Sequence, residues 1–110
     1  MTDLVYDVTE ATFQAEVLEK SKTVPVLVDF WADWCGPCKA LGELLEQVQA
    51  DHPDSILIAK VDIEDAPKIV QRHGVMTLPT LLVFDGGELR KRSTGGLSKT
   101  ALLAFLEDYL

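Results

Sequence analysis

The sequence predicts an α/β fold in which a mixed central β-sheet of about five strands has helices on both faces. Three observations lead to this prediction. Helical and extended patterns of apolar residues alternate along the 110 residues, as they do in α/β proteins. Two segments, residues 24–31 and 55–62, are almost continuously apolar, which is typical of central strands covered on both faces. The sequence Asp85-Gly86-Gly87 lies between two further strand-like segments and predicts an antiparallel hairpin.

The first half of the chain is predicted to contain a helix, a central strand and a longer second helix. Thr9 is expected to cap the first helix, with Phe13 and Val17 one turn apart on its inner face. The strand over residues 24–31 leads to the second helix, and a further short strand is expected near residues 4–6. The second helix has apolar residues at positions i, i+3, i+4 and i+7, namely Leu41, Leu44, Leu45 and Val48.

The second half is predicted to begin with the strand over residues 55–62 and a short helix over residues 66–73. Pro67 lies in the first turn of this helix and Gly74 follows its end, the positions that these residues favour. Because helices connect them, the strands up to this point and the one that follows are expected to run parallel, with right-handed connections.

The last segments predict a hairpin and a closing helix. Strands over residues 80–84 and 88–92 flank the glycine turn and must run antiparallel to each other. Ser98 is expected to cap the closing helix. The apolar stripe of that helix is Leu102, Phe105, Leu106 and Tyr109. No linker or repeat interrupts the chain, so residues 1–110 are predicted to form a single domain.

Composition and charge argue against several classes of function. The net charge of −8 argues against nucleic acid or an anionic membrane surface as the main partner. The longest apolar runs are far too short to span a bilayer. The N-terminal segment carries acidic side chains and no basic cluster, so no signal peptide is expected and a cytoplasmic location is predicted.

Two cysteines, Cys35 and Cys38, form the candidate active site. They follow a central strand and open a helix, the place where α/β proteins commonly bind ligands. Unpaired backbone N–H groups and the positive end of the helix dipole favour the thiolate form of Cys35, and the thiolate is the species that attacks disulfides. Cys38, three residues further on, can then close a disulfide with Cys35. Pro37 is expected to stiffen the loop between them.

Two other interpretations of the cysteine pair are disfavoured. A zinc site needs about four ligands at recognisable spacings, and the only other soft ligands, His52 and His73, are separated by 20 intervening residues. A purely structural disulfide is also disfavoured, because such a short loop restricts the unfolded chain very little.

A charged residue, Asp29, interrupts the central strand six residues before Cys35. If this carboxyl group is buried, its pKa should be raised, and it could carry a proton for Cys38; a partly hydrated carboxylate is the alternative. Lys60 is the matching basic residue in the next strand. It either pairs with Asp29 and limits the rise in pKa, or extends its ammonium group to solvent.

Pro79 precedes the strand over residues 80–84. A proline at this position is unusual unless the peptide bond or the turn is special. A cis Leu78–Pro79 bond would be a specific structural feature, and an ordinary trans bond is the alternative.

The motif WCGPCK at residues 34–39, after a buried strand, resembles the active site of the thioredoxin family. The similarity extends over nearly the whole chain and includes Asp29, Lys60, Pro79, Gly95 and the closing helix. The resemblance implies a thioredoxin fold and a protein disulfide reductase. Such a protein is a thiol–disulfide oxidoreductase with a reversible disulfide, which serves electron transport and cell redox homeostasis.

The resemblance also implies a role for each site residue. Cys35 would be the exposed nucleophile and Cys38 the buried resolving thiol. Asp29 would be the buried acid/base residue, modulated by Lys60. Pro79 would be cis and would pack against the disulfide. A flat apolar patch would bind the backbone of the substrate protein; its residues are Trp34, Gly36, Pro37, Ile63, Leu78, Pro79 and Gly95.

The resemblance further implies that the chain itself binds no cofactor and no metal. Electrons would come from NADPH through a separate flavoprotein, thioredoxin reductase. The expected partners are this reductase and substrate proteins that contain disulfides, and the chain is expected to act as a monomer.

Two positions depart from the family pattern. The family usually carries a proline five residues after the second cysteine, where this chain has Glu43 preceded by Gly42. The helix is therefore expected to be straighter, or to bend at Gly42. The second departure is Thr77, beside Met76, at a position where glycine is common. Both changes are expected near the recognition surface, where they would affect the choice of partner.

Two other functions remain open at this point. One is a disulfide oxidase or isomerase of the same fold, although such relatives often carry histidine in place of Pro37 and need an oxidising compartment. The other is a redox-gated binding module, in which the dithiol state controls docking to a partner.

Overall fold

A computed structural model describes residues 5–110 and contains the predicted mixed sheet, with five strands. The strands are β1 (Val5–Asp7), β2 (Val26–Trp31), β3 (Leu57–Asp62), β4 (Thr80–Asp85) and β5 (Glu88–Thr94). They lie in the order β1-β3-β2-β4-β5. β1 and β2 run parallel to β3, and β4 runs antiparallel to β2 and β5. The expectations for residues 1–4, including the start of the short strand at 4–6, lie outside the described residues.

Three α-helices pack on the sheet: α1 (Gly36–Asp51), α2 (Pro67–Arg72) and α3 (Lys99–Leu106). Ser98 caps α3 as predicted, since its hydroxyl oxygen accepts a hydrogen bond of 3.1 Å from the Ala101 amide. No helix in the described part of the chain is long and apolar enough to cross a membrane.

The first helical segment differs from the prediction. It is a π-helix, Gln14–Glu19, that continues into a 3-10 turn at Lys20–Lys22. Thr9 does not cap it, because the π-helix begins after Phe13 and has no side-chain cap. Phe13 and Val17 are both buried, as predicted.

A side chain from outside the π-helix binds its backbone. The Tyr6 hydroxyl of β1 donates a hydrogen bond of 2.6 Å to the Glu16 carbonyl. In a regular α-helix this carbonyl would accept from the Lys20 amide, which donates to the Val17 carbonyl instead. The Tyr6 hydroxyl thus binds a carbonyl to which the Lys20 amide does not donate.

The direction of β4 corrects the predicted topology. We expected strands joined by helices to be parallel, but Thr80 at the start of β4 pairs with Phe30 near the end of β2. β4 is therefore antiparallel to β2 and β3. α2 has six residues and rises only about 9 Å, and the residues after it, 75–78, line the same cleft as Cys35. The chain therefore stays at the end of the sheet where β3 finishes, and β4 starts from there.

The sheet separates two hydrophobic cores. Val28 and Phe30 of β2 point to one face, where they pack in a cluster that includes Phe13. Leu27 points to the other face, into a cluster formed with α1 and α3. Because side chains alternate along a strand, Asp29 is directed to the same face as Leu27.

The hairpin between β4 and β5 has the predicted glycine turn. Gly86 and Gly87 have φ angles of 65° and 82°, a left-handed conformation that glycine adopts without strain. The turn is attached to the first helical segment through Ser21. The Ser21 carbonyl accepts a hydrogen bond of 2.8 Å from the Gly86 amide, and its hydroxyl accepts one of 2.9 Å from the Gly87 amide.

Candidate active site

The disulfide between Cys35 and Cys38 lies where the chain passes from β2 into α1. Cys35 is the N-cap residue of α1, and its sulfur accepts a hydrogen bond of 3.3 Å from the Cys38 amide. Pro37 lies in the first turn, where its missing N–H costs little because that group would be unpaired in any case. The two Cα atoms are 5.3 Å apart. The predicted position of the pair, at the carboxyl end of a central strand, is confirmed.

Each cysteine lines a different cavity. Cys35 lines a cleft of about 550 Å³, and Cys38 lines a second cavity of about 290 Å³. Both residues are nearly inaccessible in this disulfide form, with 6% and 4% of their surface exposed. The expectation that Cys35 is exposed is therefore wrong for the oxidised protein, because Ala32, Ile63 and Leu78 pack against the two cysteines.

The cleft contains most of the predicted binding residues. Those that line it are Trp34, Gly36, Pro37, Ile63 and Leu78. Four more residues line it, namely Val70, Val75, Met76 and Thr77. Trp34 and Met76 are large side chains with 70% and 92% of their surface exposed. Sequence reasoning missed Val70 and Val75. The available signal was Gly74, which marks the end of the short helix and the start of the segment that leads to Pro79.

Pro79 and Gly95 lie beside the cleft rather than in its wall. The Leu78–Pro79 bond is cis, as the resemblance implies, and Pro79 is buried. The Gly95 amide donates a hydrogen bond of 2.8 Å to the Pro79 carbonyl. Gly95 has a φ angle of 87°, where any other residue would be strained. These two residues therefore join the start of β4 to the loop after β5.

Asp29 is fully buried in β2, so the alternative of a partly hydrated carboxylate is wrong. Within the described structure, neither of its carboxylate oxygens has a hydrogen-bond partner. Burial disfavours the charged form and raises the pKa of Asp29 to about 6, while the positive charge of Lys60 acts in the opposite direction. The carboxyl group therefore changes its protonation state close to neutral pH.

Lys60 lies beside Asp29 in the adjacent parallel strand, yet the two form no ion pair among the residues that the structure describes. Its ammonium nitrogen lies 5.2 Å from the centre of the Trp31 ring, a cation–π arrangement. Neither alternative for Lys60 holds in full. The side chain is held against Trp31, and it limits the pKa of Asp29 without a direct bond.

The second cavity contains the unusual residues of α1. It is lined by Trp31, Cys38, Lys39, Gly42, Glu43, Glu46 and Lys60. Gly42 faces the Lys60 ammonium group, since a Cβ atom at Gly42 would lie 3.6 Å from the Lys60 Nζ. α1 is continuous through this region. Glu43 borders this cavity and not the cleft. Both departures from the family pattern were expected near the recognition surface, but only Thr77 lines the cleft.

The described residues contain no cluster of three or more His, Cys, Asp or Glu that could hold a metal ion. His73, considered above as a zinc ligand, packs against Phe13 and Phe84 with ring centroids 5.6 and 5.7 Å away. Its Nδ1 lies 3.0 Å from the Ile69 carbonyl oxygen. These contacts give His73 a structural role in the core.

The stability of the oxidised protein should fall as the pH rises through the titration of Asp29. The folded-state pKa of about 6 lies above the ordinary value of 3.8, so the folded protein binds this proton more tightly than the unfolded chain does. The contribution of Asp29 to stability is therefore fully present below about pH 4, is lost between about pH 4 and 6, and leaves stability lower above that range by roughly 3 kcal/mol. Denaturant unfolding at a series of pH values measures the change.

Asp29→Asn should remove most of this pH dependence, because the amide does not ionise. The exposed Asp54 supplies the matched control, and Asp54→Asn should retain the fall in stability. A pH profile that is the same in Asp29→Asn and the parent protein would show that another group causes it.

Known proteins are similar in sequence to this chain over nearly all of its length. The family model described as Thioredoxin matches residues 4–108. A thioredoxin of Acidithiobacillus ferridurans is 41% identical over 110 residues, which cover all of both chains. A thioredoxin of Streptomyces clavuligerus is 45% identical over 94% of this chain and 94% of its own length. A bifunctional thioredoxin reductase/thioredoxin of Mycobacterium leprae is 42% identical over 93% of this chain, which spans 22% of that protein.

Proposed function

The chain belongs to the thioredoxin family and is a protein thiol–disulfide oxidoreductase, and we propose that Cys35 is its nucleophile and Cys38 its resolving thiol. The observation that carries this proposal is the position of Cys35, which caps α1 and also lines the cleft. A sulfur at this position meets the N-terminus of a helix on one side and an incoming substrate on the other.

The proposed reaction has two steps. The Cys35 thiolate attacks one sulfur of the substrate disulfide and forms a mixed disulfide, while the other substrate sulfur leaves as a thiolate and takes up a proton. The Cys38 thiolate then attacks the Cys35 sulfur, closes the Cys35–Cys38 disulfide and releases the second substrate thiol. Two electrons pass from the cysteine pair to the substrate.

The first turn of α1 favours a negative charge on the Cys35 sulfur. The Cys38 amide donates a hydrogen bond to this sulfur, and the helix dipole adds a positive potential at the same position. Both interactions stabilise the thiolate relative to the thiol, which supports the assignment of Cys35 to the first attack.

We propose that Asp29 accepts the proton of the Cys38 thiol before the second step. A pKa of about 6 allows the carboxylate to take up and release a proton near neutral pH. The carboxylate has no hydrogen-bond partner in the described structure, so no hydrogen bond holds it in one protonation state. Lys60 lines the same cavity as Cys38 and would adjust the proton affinity of Asp29 through its charge.

The cleft beside Cys35 is proposed to bind the backbone of the substrate protein. It presents exposed apolar side chains, Trp34 and Met76, and exposed apolar surface of this kind is typical of sites that bind proteins. Gly36, Pro37, Ile63 and Leu78 would complete the contact surface. Pro79 and Gly95 would act from beside it, through the hydrogen bond that joins them.

We propose that electrons reach the chain from NADPH through a separate flavoprotein reductase, and that the chain binds no cofactor itself. The Mycobacterium leprae relative supports this pairing, because its name gives a thioredoxin reductase and a thioredoxin in one polypeptide. A supply of NADPH and a reducing poise are properties of the cytoplasm, which we propose as the location. All of the proposed site residues belong to one chain, so a monomer is sufficient.

Cys38→Ser should accumulate a covalent mixed disulfide with a substrate protein, because the first attack remains possible and the second does not. Cys35→Ser should accumulate none. Mass spectrometry after the reduced variants are mixed with oxidised insulin measures the adducts. An adduct at Cys38 in Cys35→Ser would reverse the two roles. If Cys35→Ser keeps the biological effect of the parent protein, the chain would act as the redox-gated binding module and not as a reductase.

Asp29→Asn should slow the resolution of the mixed disulfide by roughly tenfold or more near pH 7, because the base for Cys38 is lost. Formation of the mixed disulfide should change much less. Stopped-flow fluorescence of Trp34, next to Cys35, follows the two steps. As a control, Asp33→Asn changes an exposed carboxylate two residues before Cys35 and should affect neither step. Equal slowing of both steps in Asp29→Asn would remove Asp29 from the mechanism.

A purified flavoprotein thioredoxin reductase with NADPH should reduce the Cys35–Cys38 disulfide, and NADPH alone should not. Consumption of NADPH in the presence of insulin measures the coupled reaction, and Cys35→Ser serves as the inactive control. If a small dithiol reduces the chain and the reductase does not, the proposed electron source is wrong while the disulfide chemistry stands.

A further inference from the structure

One wall of the cleft is built on α2, which has only six residues. Val70 of α2 and residues 75–78 after it line the cleft. A helix this short is not stable by itself in water, so its position depends on contacts from other parts of the chain. Two charged side chains from distant segments make such contacts, one at each end of α2.

Glu10 holds the first turn of α2. Its carboxylate accepts hydrogen bonds from the amides of Lys68 and Ile69, two of the groups that a helix N-terminus leaves unpaired. Ala66, at the N-cap position, makes no side-chain cap. A negative charge at this end also complements the helix dipole.

The other end of α2 closes with a tight turn at Gly74. The Gly74 amide donates to the Gln71 carbonyl and the Val75 amide donates to the Val70 carbonyl, at 3.1 and 3.0 Å. This pair of bonds, with a φ angle of 60° at Gly74, is a Schellman-type helix end. The backbone of this turn determines the direction in which residues 75–78 leave the helix.

Arg92 of β5 binds this turn from the side. Its Nη1 donates to the His73 carbonyl at 2.5 Å, and its Nη2 donates to the Gly74 carbonyl at 2.7 Å. Two hydrogen bonds from one planar guanidinium group fix an orientation as well as a distance. Arg92 is paired in the sheet with the buried Leu82 of β4. The turn is thereby attached to the hairpin, which is part of the rigid sheet.

We propose that Arg92 is a positioning residue for the recognition of protein substrates. By holding the carbonyls of His73 and Gly74, it sets the course of residues 75–78 and with it the position of Met76 at the cleft. Glu10 holds the opposite end of the same helix. Arg92 does not line the cleft, so it acts through the backbone of this segment. The inference rests on the proposed role of the cleft in binding substrate proteins.

The test compares a large and a small disulfide in single-turnover reactions of the pre-reduced protein. Arg92→Leu should raise the half-saturating concentration of oxidised insulin by about threefold to tenfold, with the maximum rate constant unchanged. The rate with hydroxyethyl disulfide should stay the same, because this molecule is too small to depend on the cleft wall. Arg92→Lys should give an intermediate effect, since an ammonium group cannot reproduce the paired hydrogen bonds.

The same strand provides a matched control. Arg90 also donates from its guanidinium group to a backbone carbonyl, that of Asp85 at the hairpin turn, and Arg90→Leu should leave both reactions unchanged. Met76→Asp places a charge at the exposed edge of the cleft. It should weaken the reaction with insulin directly, independently of the role of Arg92. Amide hydrogen exchange of residues 75–78 should be faster in Arg92→Leu, with exchange in α1 unaltered.

Unchanged insulin kinetics in Arg92→Leu, or equal slowing with both disulfides, would overturn the positioning role. If Met76→Asp weakens the reaction with insulin and Arg92→Leu does not, the cleft recognises proteins and only this inference fails. If neither variant weakens it, the proposed role of the cleft fails as well. Should Arg92→Leu not fold, Arg92→Lys carries the same comparison with the same criteria.

Discussion

The capping of α1 by a cysteine is the constraint on which the rest of the site depends. The Cys35 sulfur accepts a hydrogen bond from an amide of the first turn, so it is held at the start of the helix. Because Cys38 follows within that turn, the same geometry brings the second sulfur to the first. The start of the helix is itself fixed by β2, whose residues 26–30 are all buried in the closely packed interior.

α2 is only six residues long, and the chain after it stays at one end of the sheet, where recognition and chemistry come together. β4 begins beside the end of β2, and Leu78, just before β4, packs next to the disulfide. A parallel β4 would begin about 20 Å away, at the opposite end of the strands. The same shortness leaves the helix dependent on side chains from elsewhere, and Glu10 and Arg92 supply those contacts.

Local sequence patterns were sufficient to predict most of the elements and the cysteine pair, because the signals for them lie within a few consecutive residues. The Ser98 cap and the glycine hairpin are of this kind, and both are confirmed. The π-helix was not predicted, and the hydrogen bond of the Tyr6 hydroxyl to its Glu16 carbonyl spans ten positions. The contact of Glu10 with the Lys68 amide spans 58 positions. Contacts such as these depend on tertiary packing, which no local pattern specifies.

The two cysteines line separate cavities, and this separation bears on the timing of the reaction. In the proposed complex a substrate protein covers the cleft beside Cys35, whereas the cavity beside Cys38 is bordered by exposed residues, Lys39, Glu43 and Glu46. Solvent can therefore enter the cavity that Cys38 lines while the partner is still attached, and only the small exposed part of Cys38 meets it. On the Cys38 side, protons can pass between this cavity and solvent before the partner leaves, because the cleft and the cavity have separate openings.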